Sequence, residues 1–364
     1  MESKEYLSEQ IITYLGNKRS LLKEIEKEII TIKKKLKKEK IVACDLFSGS
    51  GVVARMLKQH CSLIIANDLE EYSYLINKCY LSNKNDFDFE EYNKYLDYLI
   101  VKCELEPFIG LITETYAPKD ENNITIEDRV FYTRENAIFI DSFRKYLDEV
   151  PPPYRDFLLC QLITEASIHT NTSGVFKGFY KNKETGVGMY GGIGQNALKR
   201  IKGKIVIKTP VFSNFESDYS VTKLDAIELS KLVVADVVYI DPPYNQHPYG
   251  ANYFMLNVII NNSINSKISK VSGIPDNWNH SAFNYKKTAL ESFEKIIKNL
   301  QATYIVISYN NEGFITYEQM VQMLGKYGKV LTRRIKYNAF RGSRNLKGRD
   351  LYTNEYLFVL KKGE

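Results

Sequence analysis

The chain has 364 residues, 44% of them hydrophobic and 26% charged, with a formal net charge of +6. That length exceeds what one hydrophobic core usually fills, favouring about two domains, and the composition excludes a chain disordered throughout. No apolar run reaches the roughly 18 residues of a membrane span, the charged start MESKEYLSEQ lacks a secretory apolar stretch, and five cysteines without a CxxC pair indicate neither a disulfide framework nor a metal site, so a cytoplasmic protein is expected.

Leu21, Leu22, Ile25, Ile29, Ile32 and Leu36 recur at helical spacing and predict an amphipathic helix over 17–38 with a lysine-rich exposed end. IVACDLF (41–47) then reads as a strand, SGSG as a turn, VVARMLKQ (52–59) as a helix and SLIIAND (62–68) as a second, parallel strand. The texture changes over 84–204. Tyr92, Tyr95, Leu96, Leu99 and Ile100 predict a helix, and FLLCQLITEAS (157–167) predicts another, with Cys160 a core residue. Eight of the 20 glycines then fall between Gly174 and Gly203, alongside Lys177, Lys181, Lys183, Lys199, Arg200 and Lys202. Such a segment cannot bury a core and reads as a long functional loop ordered by something anionic. Strands resume with LVVADVVYI (232–240), TYIVISYN, LTRRIKY and NEYLFVLKK. The expected fold is α/β, with a sheet domain formed by 1–83 and 205–364 and a mainly helical domain, 84–204, inserted into it.

Two constellations carry chemistry. Asp45-Leu-Phe-Ser-Gly-Ser-Gly51 joins a strand end to a helix start, where glycines admit a ligand to the backbone and an acid at the strand tip faces the crevice of an α/β sheet. Asp68, ending the next strand, is placed to hydrogen-bond ribose hydroxyls. Taken alone, Gly49-x-Gly51-x-x-Ala54 also fits a dinucleotide-binding oxidoreductase. Asp241-Pro242-Pro243-Tyr244, following the strand LVVADVVYI, argues for something else. An exocyclic amine on a nucleobase is a poor nucleophile because its lone pair is delocalised into the ring, so it needs acceptors. A carboxylate and a prolyl carbonyl supply them, proline adds no competing N–H, and Tyr244 offers a ring to stack on an extruded base.

ITYLGNKRSLL, DLFSGSG, ANDLE and DPPY, in that order, make the chain similar to the Dam-like, D12-class N6-adenine DNA methyltransferases. HTNTSGVFKGFYKN resembles the segment before that family's second catalytic half, and NQHPYGANYF resembles restriction-associated members. The opening motif carries Tyr14 and Asn17 where many members have Trp and Gly. The resemblance implies a Rossmann-like S-adenosylmethionine-dependent methyltransferase sheet with an inserted target-recognition domain. Residue by residue it assigns Tyr14, Lys18, Asp45, Phe47, Gly49, Gly51, Asp68, Asp225 and Asp241 to the cofactor, and Asp241, Pro242, Pro243 and Tyr244 to catalysis, with no metal. It also implies base flipping and double-stranded DNA as the partner; since the family occurs both as solitary enzymes and with restriction systems, it leaves open whether a cognate restriction endonuclease accompanies the chain, and implies no direct contact with one.

Basic residues interleaved with aromatic and glycine residues suit a phosphate backbone and stacked bases. Lys177, Lys181, Lys183, Arg341 and Arg344 are therefore candidate DNA contacts, joined by Thr172 and Ser173, and Tyr249, Asn252 and Tyr253 after the catalytic loop are candidates for holding an opened duplex. Methylation of cytosine N4 or of RNA amines, and a non-catalytic DNA-binding protein, stay open as alternatives. The sequence leaves the recognition site and the oligomeric state undetermined.

Overall fold

The computed structural model describes residues 2–195, 197–338 and 352–363. Its centre is a seven-stranded sheet of β1 (Ile41–Asp45), β2 (Cys61–Asn67), β3 (Asp218–Thr222), β4 (Val234–Ile240), β5 (Gln301–Asn310), β6 (Gly328–Asn338) and β7 (Tyr352–Lys362). The order is β3-β2-β1-β4-β5-β7-β6. The first five run parallel, and β7 lies antiparallel between β5 and β6. This is the Rossmann-like α/β class that the strand pattern predicts.

Strand periodicity divides the core between the two faces. Along β1, Ile41 and Ala43 join a cluster under the helices Leu22–Leu36 and Val52–Lys58, whereas Cys44 joins one under Ala226–Ser230, Lys286–Asn299 and Tyr317–Gly325. Strand β3, DYSVT, stands outside the expected strands. It is a short edge strand with three exposed residues, and pairing with β2 rather than an apolar pattern makes it a strand.

Between β2 and β3 the chain forms the helices Glu71–Leu81, Phe89–Leu105, Leu111–Tyr116, Arg134–Leu147 and Tyr154–Ile168, followed by a loop and the short helix Leu198–Ile201. The first five share a third apolar cluster with Phe254–Asn261, which follows the catalytic loop. Charges buried in this region are well supplied with partners. Asp141 accepts from Gly110 N, Ile112 N, Thr113 N and Thr113 Oγ1 at 2.6–3.0 Å. Arg144 donates to the carbonyls of Ile259 and Ile260, capping a helix end where partial negative charge accumulates. Lys58 does the same at Leu81 and Ser82. Among the described residues no helix is long and apolar enough to cross a membrane.

Candidate active site

The strand order reverses between β1 and β4, so their carboxyl ends open a crevice at the position where such sheets bind ligands. Leu46 N donates to Tyr239 O at 3.0 Å, which fixes Asp45 and Asp241 on facing tips. A cleft of about 910 Å³, measured out to its open mouth, lies above them. Tyr14, Lys18, Asp45, Phe47, Gly49, Asp68, Asp225, Asp241 and Pro243 all line it.

The glycine loop is shaped by the protein's own side chains as much as by any ligand. Gly49 has φ +51°, and a Cβ there would stand 2.8 Å from the Tyr14 ring. Gly51, expected against the cofactor, is not among the lining residues; it faces Asn77, whose Oδ1 would lie 2.9 Å from a Cβ. Asp68 accepts from Gly49 N at 2.8 Å and from Glu70 N at 3.0 Å, which ties the loop to the end of β2 while leaving a lone pair on each oxygen. Asp225 caps Ala226–Ser230 by accepting from Ile227 N, and Phe47 meets Phe283 edge-on at 5.3 Å.

The opening segment lies across the catalytic loop. Tyr14 stacks on Tyr249 and Tyr253 with ring centroids 5.1 and 4.8 Å away. Tyr249 Oη donates to Leu15 O, and Leu15 N donates to Tyr253 Oη. Gly16 passes so close that a Cβ would stand 3.2 Å from Tyr244 Oη. From below, Arg55 donates to the carbonyls of Tyr6, Glu9 and Gln10 and holds the approach to this segment. Lys18 Nζ thereby reaches 3.0 Å from Asp241 Oδ1 and 3.1 Å from Glu355 Oε1, and lies over the Tyr244 ring.

The cleft floor is acidic. Asp45 is 1% exposed and its oxygens have no close hydrogen-bond partner, only the weaker pull of the Ala54 and Phe47 N–H groups. Burial, reinforced by Asp241 and Asp68, holds its carboxyl well above the usual range. Burial also pushes Asp241 up to about 7, against the pull of Lys18 and with Glu355 adding to the rise. Glu70 is raised to about 7 by burial and by Asp68. For Lys18, burial opposes the charge, but Asp241 and Glu355 outweigh it and keep the ammonium protonated. Tyr244 is pushed up to about 12, chiefly by burial, so its ring is neutral. Acids at Asp45, Asp68, Glu70 and Asp241 suit a ligand bearing positive charge and hydroxyls, whose approach would favour their ionised forms.

Comparison with known proteins agrees with this chemistry. Residues 14–323 match the model of the D12 class N6 adenine-specific DNA methyltransferases. The chain belongs to that family. This methyltransferase is 32% identical to Type II methyltransferase M.CviAII of Paramecium bursaria Chlorella virus 1, over 96% of this chain and 98% of that protein. It is 29% identical to Type II methyltransferase M.NlaIII of Neisseria lactamica, over 96% and 99%, and 27% identical to modification methylase StsI of Streptococcus sanguinis, over 96% of this chain and 52% of that one. It is an adenine-specific DNA methyltransferase, of a family that generally uses S-adenosylmethionine.

The candidate DNA contacts of the methyltransferase fall in different settings. Lys177 is exposed and lies 3.3 Å from His247 Nδ1, joining the Gly/Lys-rich loop to the stretch just after Tyr244. Lys181 is half-buried over the Phe179 ring and Lys183 is exposed. Half-buried Tyr249 lines the cleft while held by Tyr14 and Leu15. Asn252 is turned inward instead, 2% exposed, with its carbonyl accepting from Phe176 N. The apolar helix Phe254–Asn261 that follows draws it into the core. Thr172 is also buried and Ser173 half-buried. Arg341 and Arg344 lie outside the described residues. Glu355 and Glu70 were not expected at the site. Glu355 had a legible signal, a carboxylate on the same strand face as buried Leu357 and Val359; Glu70, two residues beyond Asp68, had none.

Proposed function

We propose that the chain is the modification enzyme of a restriction system, transferring a methyl group from S-adenosylmethionine to the N6 amine of an adenine flipped out of a short sequence in duplex DNA. The observation that carries this reading is the convergence of Asp241 and Asp45 at the reversal point of the sheet, where Asp241 has the Lys18 ammonium beside it and Asp45 has no close hydrogen-bond partner. An unpaired buried carboxylate is costly, and it is retained where a ligand completes it. Asp45 would meet the cofactor's ammonium, Asp68 its ribose, and Phe47 and Asp225 its adenine end, with Tyr14 and Lys18 closing the near side. When bound, S-adenosylmethionine supplies a methyl group already activated on a sulfonium, so the amine can attack it directly.

The chain's own residues bind, orient and exclude water. Asp241 and a prolyl carbonyl of Pro242 or Pro243 accept the two N–H bonds of the amine and aim its lone pair, while Tyr244 stacks on the extruded base and offsets part of the few kcal/mol that flipping costs. The region 84–204, with Lys177, Lys181 and Lys183 on its loop, is the target-recognition domain in this reading. Support comes from the Lys177–His247 contact, which brings that loop beside the catalytic mouth, and from full-length similarity to proteins named Type II methyltransferases.

Base-modification sequencing of genomic DNA from a methylation-deficient host tests the reading. N6-methyladenine in one short motif, absent with Asp241→Ala, is the expected result. N4-methylcytosine, or modified RNA with unmodified DNA, would replace it with one of the alternative substrates.

A further inference from the structure

Glu355 is 0% exposed, on the β7 face that also carries buried Leu357 and Val359. It does not line the cleft, yet its carboxylate reaches the site from beneath. Ser308, on the neighbouring β5, donates to Oε1 at 2.8 Å; Lys18 Nζ lies 3.1 Å from the same oxygen; Oε2 has no partner. On its other side the same ammonium stands 3.0 Å from Asp241 Oδ1, which accepts no aligned hydrogen bond. One cation is thus shared by two carboxylates, one sealed in the sheet and one facing the cleft.

A buried carboxylate at an apolar strand position is unfavourable unless it is compensated, and removing it would leave Lys18 free to pair fully with Asp241. We propose that Glu355 is a positioning residue for methyl transfer: by holding one side of the Lys18 ammonium, it keeps that cation from closing on Asp241 and leaves the Asp241 carboxylate available to the target amine. This inference rests on the reading of Asp241 as the amine's acceptor. As the amine's lone pair forms the new N–C bond and the electron pair of the broken C–S bond stays on sulfur, one N–H proton must leave; Asp241 takes it and releases it to solvent. A carboxylate that shares its cation is a better acceptor than one that holds it alone.

The charged and titratable groups around Asp241 are Lys18 from the opening segment, Glu355 from β7, Asp45 from β1, Tyr239 from β4, and Tyr244 and Tyr249 from the catalytic loop and the helix after it, with Glu312 behind Tyr244. Among these, Glu355 can lose its charge through Glu355→Gln without altering the cleft lining, and the amide oxygen can still accept from Ser308.

The test is the pH profile of kcat for the wild type, Glu355→Gln, Lys18→Gln and the double variant, with cofactor KM and thermal melting measured on each. Glu355→Gln is expected to keep its fold and its cofactor KM, to move the acidic limb of kcat about one unit to lower pH, and to lower the plateau about tenfold. In the Lys18→Gln background it should add less than about twofold, because the two act as one unit. An unmoved limb, or a full additional tenfold loss without Lys18, overturns the assignment. If Glu355→Gln melts out, Ser308→Ala is read in its place, with a smaller shift expected in the same direction and an unmoved limb again overturning it. An Asp241→Ala enzyme that stays active would overturn the underlying reading; an inactive Asp241→Ala with an unmoved Glu355→Gln limb overturns the role of Glu355 alone.

Discussion

In the helical region between β2 and β3 the Asp141 carboxylate is 2% exposed and accepts four close hydrogen bonds; in the cleft the Asp45 carboxyl is 1% exposed and has only the weaker pull of the Ala54 and Phe47 N–H groups. Both are equally hidden, but they do opposite things. Asp141 gathers the donors at the start of Leu111–Tyr116 and pins that turn to Arg134–Leu147, so its burial is compensated within the chain. Asp45 lines the cleft without such a set of close donors. In this protein, then, it is whether a buried charge has internal partners, rather than burial itself, that separates the residues that hold the fold from those that await a substrate or cofactor.

The largest effect should come from the cleft. Asp241→Ala is expected to lower methyl transfer by on the order of 10²–10³-fold or more, with DNA binding retained in a mobility-shift titration; an active variant would place the amine's acceptor elsewhere. Asp141→Ala should do the reverse, destabilising the fold by roughly 2–4 kcal/mol through its stranded donors while the folded fraction keeps its kcat. A melting curve paired with single-turnover kinetics separates the two outcomes.

Asp45→Asn sharpens the contrast within one residue. Removing a carboxyl whose ionised form burial disfavours should raise the melting temperature of the free protein and weaken S-adenosylmethionine binding about tenfold or more by calorimetry, a gain in stability made at the expense of function. A fall in both would mean that Asp45 is held by partners after all.

The pH dependence of stability follows from the same groups. Burial raises Asp241 to about 7 and Glu70 to about 7. The folded state therefore holds these protons more tightly than the unfolded chain does. The stability they contribute is complete below the ordinary carboxylate range near pH 4 and is lost as pH rises through about 7. Melting of the free protein should decline across that window, and Asp241→Asn should flatten part of the decline. The smallest effect is on the DNA side. Replacing Lys181 and Lys183 together should reduce the salt dependence of binding by up to about two phosphate contacts, and an unchanged slope would move the contact surface to other residues.

Much of this was legible before any coordinates. The β-branched runs ending in Asp45, Asn67 and Ile240 announced β1, β2 and β4, and the placement of DLFSGSG and DPPY after them located the cleft, because strand ends and glycine turns carry strong local signals. Strand β3 was not legible, since an exposed edge strand such as DYSVT owes its form to its neighbour. Asn252 reads from the sequence as facing DNA because polar groups beside a catalytic loop resemble a binding surface; its burial depends on Phe176, a contact remote in sequence that no local pattern encodes. The sharing of Lys18 between two acids was invisible for the same reason.

Lys18 and Glu355 sit near opposite ends of the described chain yet stand 3.1 Å apart. Until β7 has been threaded between β5 and β6, the cation beneath Asp241 has only one of its two acids. A chain that carries every motif on the cleft wall is then still without the strand that steadies it. Variants that cannot seat β7 should therefore be silent toward DNA rather than partly active.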